Sequence, residues 1–241
     1  MNFLKKIFAA NQNKSLKEKR ATARAESNTK VTISFPSLGQ KISVRNISVT
    51  GVAIDTIADL SQLGLDLQLS AQLKILEKPF NIEVKVVRRT DFIIALNFLK
   101  PPAELIQEIS RVFLLEFNAQ TIQYIGAEKL QAVADGTPHW YYGGENYELY
   151  YIEKNDQILS FHLKILSDTI DKKFGKNISF GRIWSDNKAD QDEAPKYKGS
   201  ELIELQKALP PSVIKNAASF VQHIPKISKD HADQIIAELK L

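Results

Sequence analysis

The chain has no cysteine among its 241 residues, and only one methionine and two tryptophans. Without thiols there can be no disulfides, thiolate metal sites or cysteine nucleophiles. No run of eighteen or more apolar residues occurs, so no hydrophobic spanning helix is expected. The opening stretch MNFLKKIFAANQ has too few apolar residues around Lys5 and Lys6 for a signal-peptide core, and a cytoplasmic location is expected. Nucleophile elbow, Walker loop and dinucleotide fingerprint are all missing. The four histidines, His139, His162, His223 and His231, include no i, i+4 ligand pair. The acidic residues within 186–193 lack the glycine and terminal glutamate of a calcium loop and read as a solvated stretch. Neither an enzyme, nor a metal site, nor a cofactor is expected, and no catalytic residue is assigned.

What is present is a packable composition, 44% hydrophobic, long enough for one large domain or two ordinary ones. The net charge of +4 is small but unevenly placed. Residues 1–30 hold eight Lys or Arg against Glu18 and Glu26, a balance of +6 that leaves −2 for the remainder. A basic leader of this kind attracts phosphate ligands, nucleic acid or an anionic membrane surface, and charge alone does not choose among them. Phe3, Leu4, Ile7 and Phe8 could line one side of a short leader helix. So little apolar area favours packing on the protein over membrane contact.

Within the leader, Arg20 and Arg24 stand four apart in Arg-Ala-Thr-Ala-Arg, and Asn46-Ile-Ser48-Val-Thr-Gly51 follows a hairpin's length later. Guanidinium is planar and always charged, so such a pair can fork onto phosphate and onto the O6/N7 edge of guanine. The second motif offers an amide with donor and acceptor together, a hydroxyl, and a glycine whose missing Cβ lets a ligand near the backbone. Taken singly, each motif has a plainer reading: two solvated charges, and a turn chosen for its backbone geometry.

The flanking sequence is strand-like. Residues 30–35 alternate and are β-branched, Pro36-Ser-Leu-Gly39 reads as a turn, and residues 41–45 resume the period of two. Further strands are expected at 52–55, 72–77, 81–88 and 92–98, with a Leu-rich loop over 60–69. Pro101-Pro102 then starts a helix whose apolar face carries Leu105, Ile106, Ile109, Val112, Phe113 and Phe117. Six short strands with tight turns argue for a small antiparallel barrel.

The two motifs, their spacing and the strands around them resemble the PilZ domain over residues 15–117. The resemblance implies a six-stranded barrel with a following helix. It also implies a cyclic di-GMP receptor whose ligand contacts are Arg20, Arg24, Asn46, Ser48 and Gly51. Asn46 stands where the family carries Asp or Asn. Lys19 occupies a position that in this family influences whether one or two ligand molecules bind, and Arg88 or Arg89 could close the other side of the pocket. Motility, adhesion or secretion is the kind of process implied. Some relatives are ligand-free adaptors, but they generally lack the arginine pair; single-strand nucleic-acid binding is not expected.

Beyond residue 118 the resemblance ends. A helix over 121–134, an aromatic-rich strand region over 139–151, strands over 157–166 and 178–184, a polar loop over 185–199, and helices over 200–209, 211–223 and 228–239 compose a second, α+β domain. The aromatic block reads as core and rim of a sheet. Residues 1–14 are thus a leader, 15–117 the barrel domain, and 118–241 a domain expected to bind a protein partner.

Overall fold

The computed structural model describes residues 22–27, 29–56, 60, 62–173, 175–183 and 203–240. Lys19, Arg20, the apolar positions of residues 2–9 and the loop over 185–199 lie outside them. Two compact units divide after Val112.

In the first unit, strands β1 (Ala25–Glu26), β2 (Val31–Phe35), β3 (Gln40–Ser48), β4 (Gly51–Asp55), β5 (Gln68–Ile75), β6 (Lys78–Arg89) and β7 (Ile93–Leu99) form one antiparallel sheet. Strands β3, β2, β5, β6, β7 and β4 pair in that order, and β4 pairs back onto β3, closing a six-stranded barrel. Period-two alternation fills its interior: Val31, Ile33, Phe35, Val44, Ile54, Leu73, Ile75, Val84 and Val86 are all buried. Strand β5 starts at Gln68, four residues earlier than the Leu-rich pattern suggests, because Gln68, Leu69 and Ser70 find ladder partners in Lys85, Val84 and Glu83. Arg89 donates from Nη1 to the carbonyls of Leu60 (2.9 Å) and Leu63 (2.7 Å), tying down a loop whose two leucines are buried.

Helix α1 (Ala103–Val112) follows Pro102, whose carbonyl accepts from Leu105 N–H, and it buries Leu105 and Ile109. The expected single helix to Phe117 is interrupted. Phe113 leaves helical geometry at φ −112°, ψ 23°, and α2 (Leu114–Thr121) opens the second unit.

That unit is a seven-stranded antiparallel meander: β8 (Gln123–Ile125), β9 (Thr137–Tyr142), β10 (Tyr147–Lys154), β11 (Gln157–Ile165), β12 (Asp168–Lys172), β13 (Ser179–Ile183) and β14 (Ile203–Gln206), each paired with its neighbour in sequence. Asn155 and Asp156, both at positive φ, make the two-residue β10–β11 turn. Helices α3 (Pro211–Gln222) and α4 (Lys229–Glu238) complete it. The helix expected over 121–134 is a strand, a 3-10 turn at Ala127–Lys129 and irregular chain, since Gln123, Tyr124 and Ile125 pair with β9. The helix expected over 200–209 is likewise replaced, where described, by β14, which extends the meander along β13. The short strand β12, which no apolar run announces, sits between β11 and β13.

Tyr141, Leu149, Leu163, Ile170 and Phe180 lie in one cross-strand row and share a core with Ala217, Phe220, Val221, Ile235 and Leu239 of the helical segment. Tyr147 stacks on Phe220 at 5.4 Å between centroids. Glu116, buried in α2, accepts from Ser219 Oγ at 3.1 Å, and Gln234 of α4 bonds Ile158 N–H and the Asp156 carbonyl at the β10–β11 turn. Phe220 is fully buried, so Phe220→Ala should destabilise this unit by about 3–5 kcal/mol. Urea unfolding followed by tryptophan fluorescence reads it, and a loss below about 1 kcal/mol would contradict the packing described.

Candidate functional site

The two sequence motifs of the first unit meet on the outside of the barrel. Strand β1 lies along β3, with Ala25 opposite Ile47 and Glu26 opposite Asn46. Arg24, which is exposed, therefore stands directly before the residues that flank Asn46. One turn of the motif earlier, Thr22 Oγ1 lies 3.3 Å from Thr50 Oγ1, within the hairpin turn between Ser48 and Gly51. Arg24, Asn46, Ser48 and Gly51 are thus brought together; Arg20 and Lys19 fall outside the described residues.

The turn itself is built by Ser48. Its buried hydroxyl donates to the Gly51 carbonyl at 3.2 Å, accepts from Thr50 N–H at 3.4 Å, and lies 3.2 Å from Thr50 Oγ1. A hydroxyl so engaged sets the hairpin's shape. Gly51 is required by the packing of the barrel itself. A Cβ there would stand 2.1 Å from the Leu96 carbonyl oxygen and 3.1 Å from Asn97 Cα. The neighbouring strand, not an outside molecule, takes up the space that the missing side chain leaves.

Asn46 presents the site's unmet chemistry. Its Oδ1 is buried and has no hydrogen-bond partner among the described residues, a state that costs about 1–3 kcal/mol until a donor arrives. From Asn46 the register runs across the sheet through Ala53 on β4 and Ala95 on β7 to Arg88 on β6. Directly opposed residues share a face, so these four line one row on the barrel's outer side, the buried alanines making a low floor between two taller polar ends. Three strand spacings separate Asn46 from Arg88, about 14 Å. A β-bulge precedes each end of the row, at Val44/Asn46 and Val86/Arg88, and bulges re-aim side chains at strand ends.

The neighbouring cations differ in what they already hold. Arg45 is paired with Asp55 at 3.1 Å, and Lys85 with Asp66 at 2.7 Å. Arg89 points to the loop carbonyls, which leaves Arg88, exposed and with no ion pair among the described residues, as the cation at the far end of the row. Thr22, Thr50, Ala53 and Ala95 were not singled out by sequence. The hydroxyl at Thr50 continues the alternation of Asn46 and Ser48, but the alanines carry no signal without the register.

In the second unit the fold assembles a cluster that linear spacing hides. His139 stacks on Tyr151 at 4.6 Å, its Nδ1 is 3.2 Å from Tyr124 Oη, and its Nε2 is 3.6 Å from Glu153 Oε2. Tyr151 Oη meets His231 Nδ1 at 3.1 Å. Burial holds the His139 pKa below the ordinary histidine value, against the opposing pull of Glu153, and burial pushes the Tyr151 and Tyr141 hydroxyls up. On the opposite sheet face, His162 Nδ1 lies 2.8 Å from Asp171 Oδ1, and this hydrogen bond raises the His162 pKa. Among the described residues no group of three or more His, Cys, Asp or Glu could hold a metal ion, and no helix is long and apolar enough to cross a membrane.

The first unit is thus a closed six-stranded antiparallel barrel with a short strand added along β3, beside a polar hairpin turn whose Asn46 Oδ1 has no partner among the described residues. Residues 18–114 match the PilZ domain family model. No curated protein matches the chain. Among solved structures, an uncharacterized Legionella protein is 20% identical, with a TM-score of 0.29, covering 38% of this chain and 87% of its own. The PlzA protein of Borreliella burgdorferi, solved in complex with c-di-GMP, is 12% identical, also with a TM-score of 0.29, covering 90% of this chain and 98% of its own.

Two outcomes follow from this geometry. Gly51→Ala should cost the barrel about 3 kcal/mol, the upper end for a forced overpacking, because the obstructing atom is backbone; a denaturation midpoint equal to that of the parent would refute the close approach. The raised His162 pKa places the histidine's stabilising contribution below the ordinary value of 6.5, to be lost as pH climbs through the folded-state pKa. The buried His139 acts in the opposite sense, losing stability as pH falls below that value. The difference in thermal midpoint between the parent and His162→Gln should therefore be largest at pH 6 and shrink toward pH 9; a gap that widens with pH would contradict the His162–Asp171 assignment.

Proposed function

We propose that this protein is a receptor for cyclic di-GMP, held on the outer face of its barrel, and that it acts as a binding module without chemistry of its own. The observation that carries this reading is the pairing of β1 with β3: it sets Glu26 opposite Asn46, with Arg24 two residues earlier on the same strand edge, and the buried Asn46 Oδ1 has no donor among the described residues. A guanine edge supplies such donors in N1–H and the exocyclic amine, and it also supplies the O6/N7 acceptors that a guanidinium reads bidentately. The phosphates of a cyclic dinucleotide take the second arginine, so Arg20 and Arg24 divide base and phosphate between them. Ala53 and Ala95 are the small residues between Asn46 and Arg88, and Arg88 at the far end of the row is the outer limit of the footprint. Ser48 and Gly51 serve by shaping the turn, and Lys19 bears on whether one or two ligand molecules stack.

The mechanism follows from the leader. Ligand contacts that require Arg20 and Arg24 on the barrel favour the docked leader over all other arrangements, so binding shifts a population. That shift regulates a protein partner through residues 118–241, in a process such as motility, adhesion or secretion.

Calorimetric titration of the full chain with cyclic di-GMP, with GTP as control, tests this. Arg24→Ala should weaken binding about 10- to 150-fold, corresponding to roughly 1.5–3 kcal/mol for a charge-assisted contact. Asn46→Ala should cost roughly 5- to 12-fold, from about 1–1.5 kcal/mol for a neutral one, while Asn46→Asp, which keeps the acceptor oxygen, should retain binding. The Arg20/Arg24 double alanine variant should give no saturable heat. No heat from the parent at micromolar concentrations would reject the receptor reading in favour of a ligand-free adaptor.

A further inference from the structure

The second unit contains a cavity of about 560 Å³, lined by the β12 and β13 strands, the connecting residues around Lys176, and the segments flanking α3 and α4. This volume is in the range of small-molecule sites. Its lining separates into two chemistries. Ile178, Leu209 and Ile214 pack against the hydrophobic core from outside it and are only half buried, so their uncovered sides face the cavity over a floor completed by Phe180 and Leu239. Among the described residues the core of this unit is thus left open at one place.

Four lysines surround that opening: Lys172, Lys176, Lys207 and Lys240. Among the described residues Glu238 is the one carboxylate in the lining, and Lys172 forms an ion pair with it. Lys176, Lys207 and Lys240 are exposed and have no carboxylate partner among the described residues. Three like charges at one opening repel one another, and here they stand in a chain whose residues beyond position 30 sum to −2. No arginine contributes, so the rim lacks the planar forks that read a base edge or a bidentate acid. Lysine heads are compact, strongly hydrated point charges on apolar stems that can lie along the wall while the ammonium stays at the mouth.

From these observations we propose that the cavity binds a single amphiphilic anion: an apolar body resting on Ile178, Leu209 and Ile214, and a carboxylate or phosphate end held by Lys176, Lys207 and Lys240. A bare anion would leave the apolar floor in water, and a neutral apolar molecule would leave the three ammoniums mutually repelling. Only an occupant with both ends answers both. The site is independent of the barrel and of the nucleotide reading given to it.

Calorimetric titration of the full chain, below the critical micelle concentration, with dodecanoate and dodecyl phosphate tests the proposal. Octyl glucoside, dodecyltrimethylammonium and inorganic phosphate serve as controls. One saturable site is expected for both anionic amphiphiles. The neutral and cationic ones should bind at least tenfold more weakly, and inorganic phosphate should give no saturation at millimolar concentration. The variant Lys176→Gln/Lys207→Gln should lose at least fivefold in affinity with unchanged thermal midpoint, and Lys240→Gln alone should show a smaller loss in the same direction. Cyclic di-GMP titrations should be indifferent to these substitutions. Equal binding of the neutral amphiphile, phosphate binding as tight as the alkyl phosphate, unaltered affinity in both lysine variants, or binding that begins only with micelles would each overturn the assignment.

Discussion

Closure of the barrel depends on one close approach. Strand β4 must sit between β3 and β7, and where it enters the sheet its backbone comes so near the Leu96 carbonyl that only glycine fits. The consequences extend outward from Gly51. With β4 in place, Thr50 O accepts from Phe98 N–H, Ser48 folds its hydroxyl into the turn, and the interior row of Ile47, Val52, Leu96 and Val86 is sealed. The same pairings that seal the interior set the outer row from Asn46 to Arg88, because register on one face of a sheet dictates register on the other.

The outer row lies on a barrel whose interior is filled by its own side chains. Two alanines stand between a buried amide and an exposed guanidinium, and the short strand β1 adds to the edge of β3 beside the amide. The neighbouring charges Arg45 and Lys85 are already paired at the surface, where such pairs contribute little to stability. They keep acidic and basic groups interspersed around the row.

The second unit solves its packing differently. A meander pairs each strand with its sequence neighbour, so one face must be covered by helices, and the aromatic residues of β9 and β10 split between the two faces by simple alternation. Tyr141, Tyr147 and Tyr151 go to the core, while Trp140, Tyr142 and Tyr150 go to the other side, where Trp140 donates to Glu148 at 2.8 Å. The pair of histidines with opposed pKa shifts follows from the same division: on the tyrosine-lined side burial lowers the His139 pKa, and on the other the hydrogen bond to Asp171 raises that of His162.

Much of this was legible from the chain alone. Alternating β-branched residues, Pro36 and Gly39 at the first turn and Asn155-Asp156 at a later one are local signals, and local signals suffice for hairpins. Reading failed where the local pattern was ambiguous and tertiary context decided. Residues 121–134 have helix-forming composition, yet Gln123, Tyr124 and Ile125 were drawn into an edge strand by a partner in β9; Ile203 to Gln206 joined β13 across the chain of residues 184–202. The role of Gly51, the floor of Ala53 and Ala95, the choice of Arg88 over Arg89, and the lysine-rimmed opening in the second core were beyond sequence altogether. Each depends on which residues stand opposite one another once strands pair, and that is a property of register and closure, which no single segment of the chain contains.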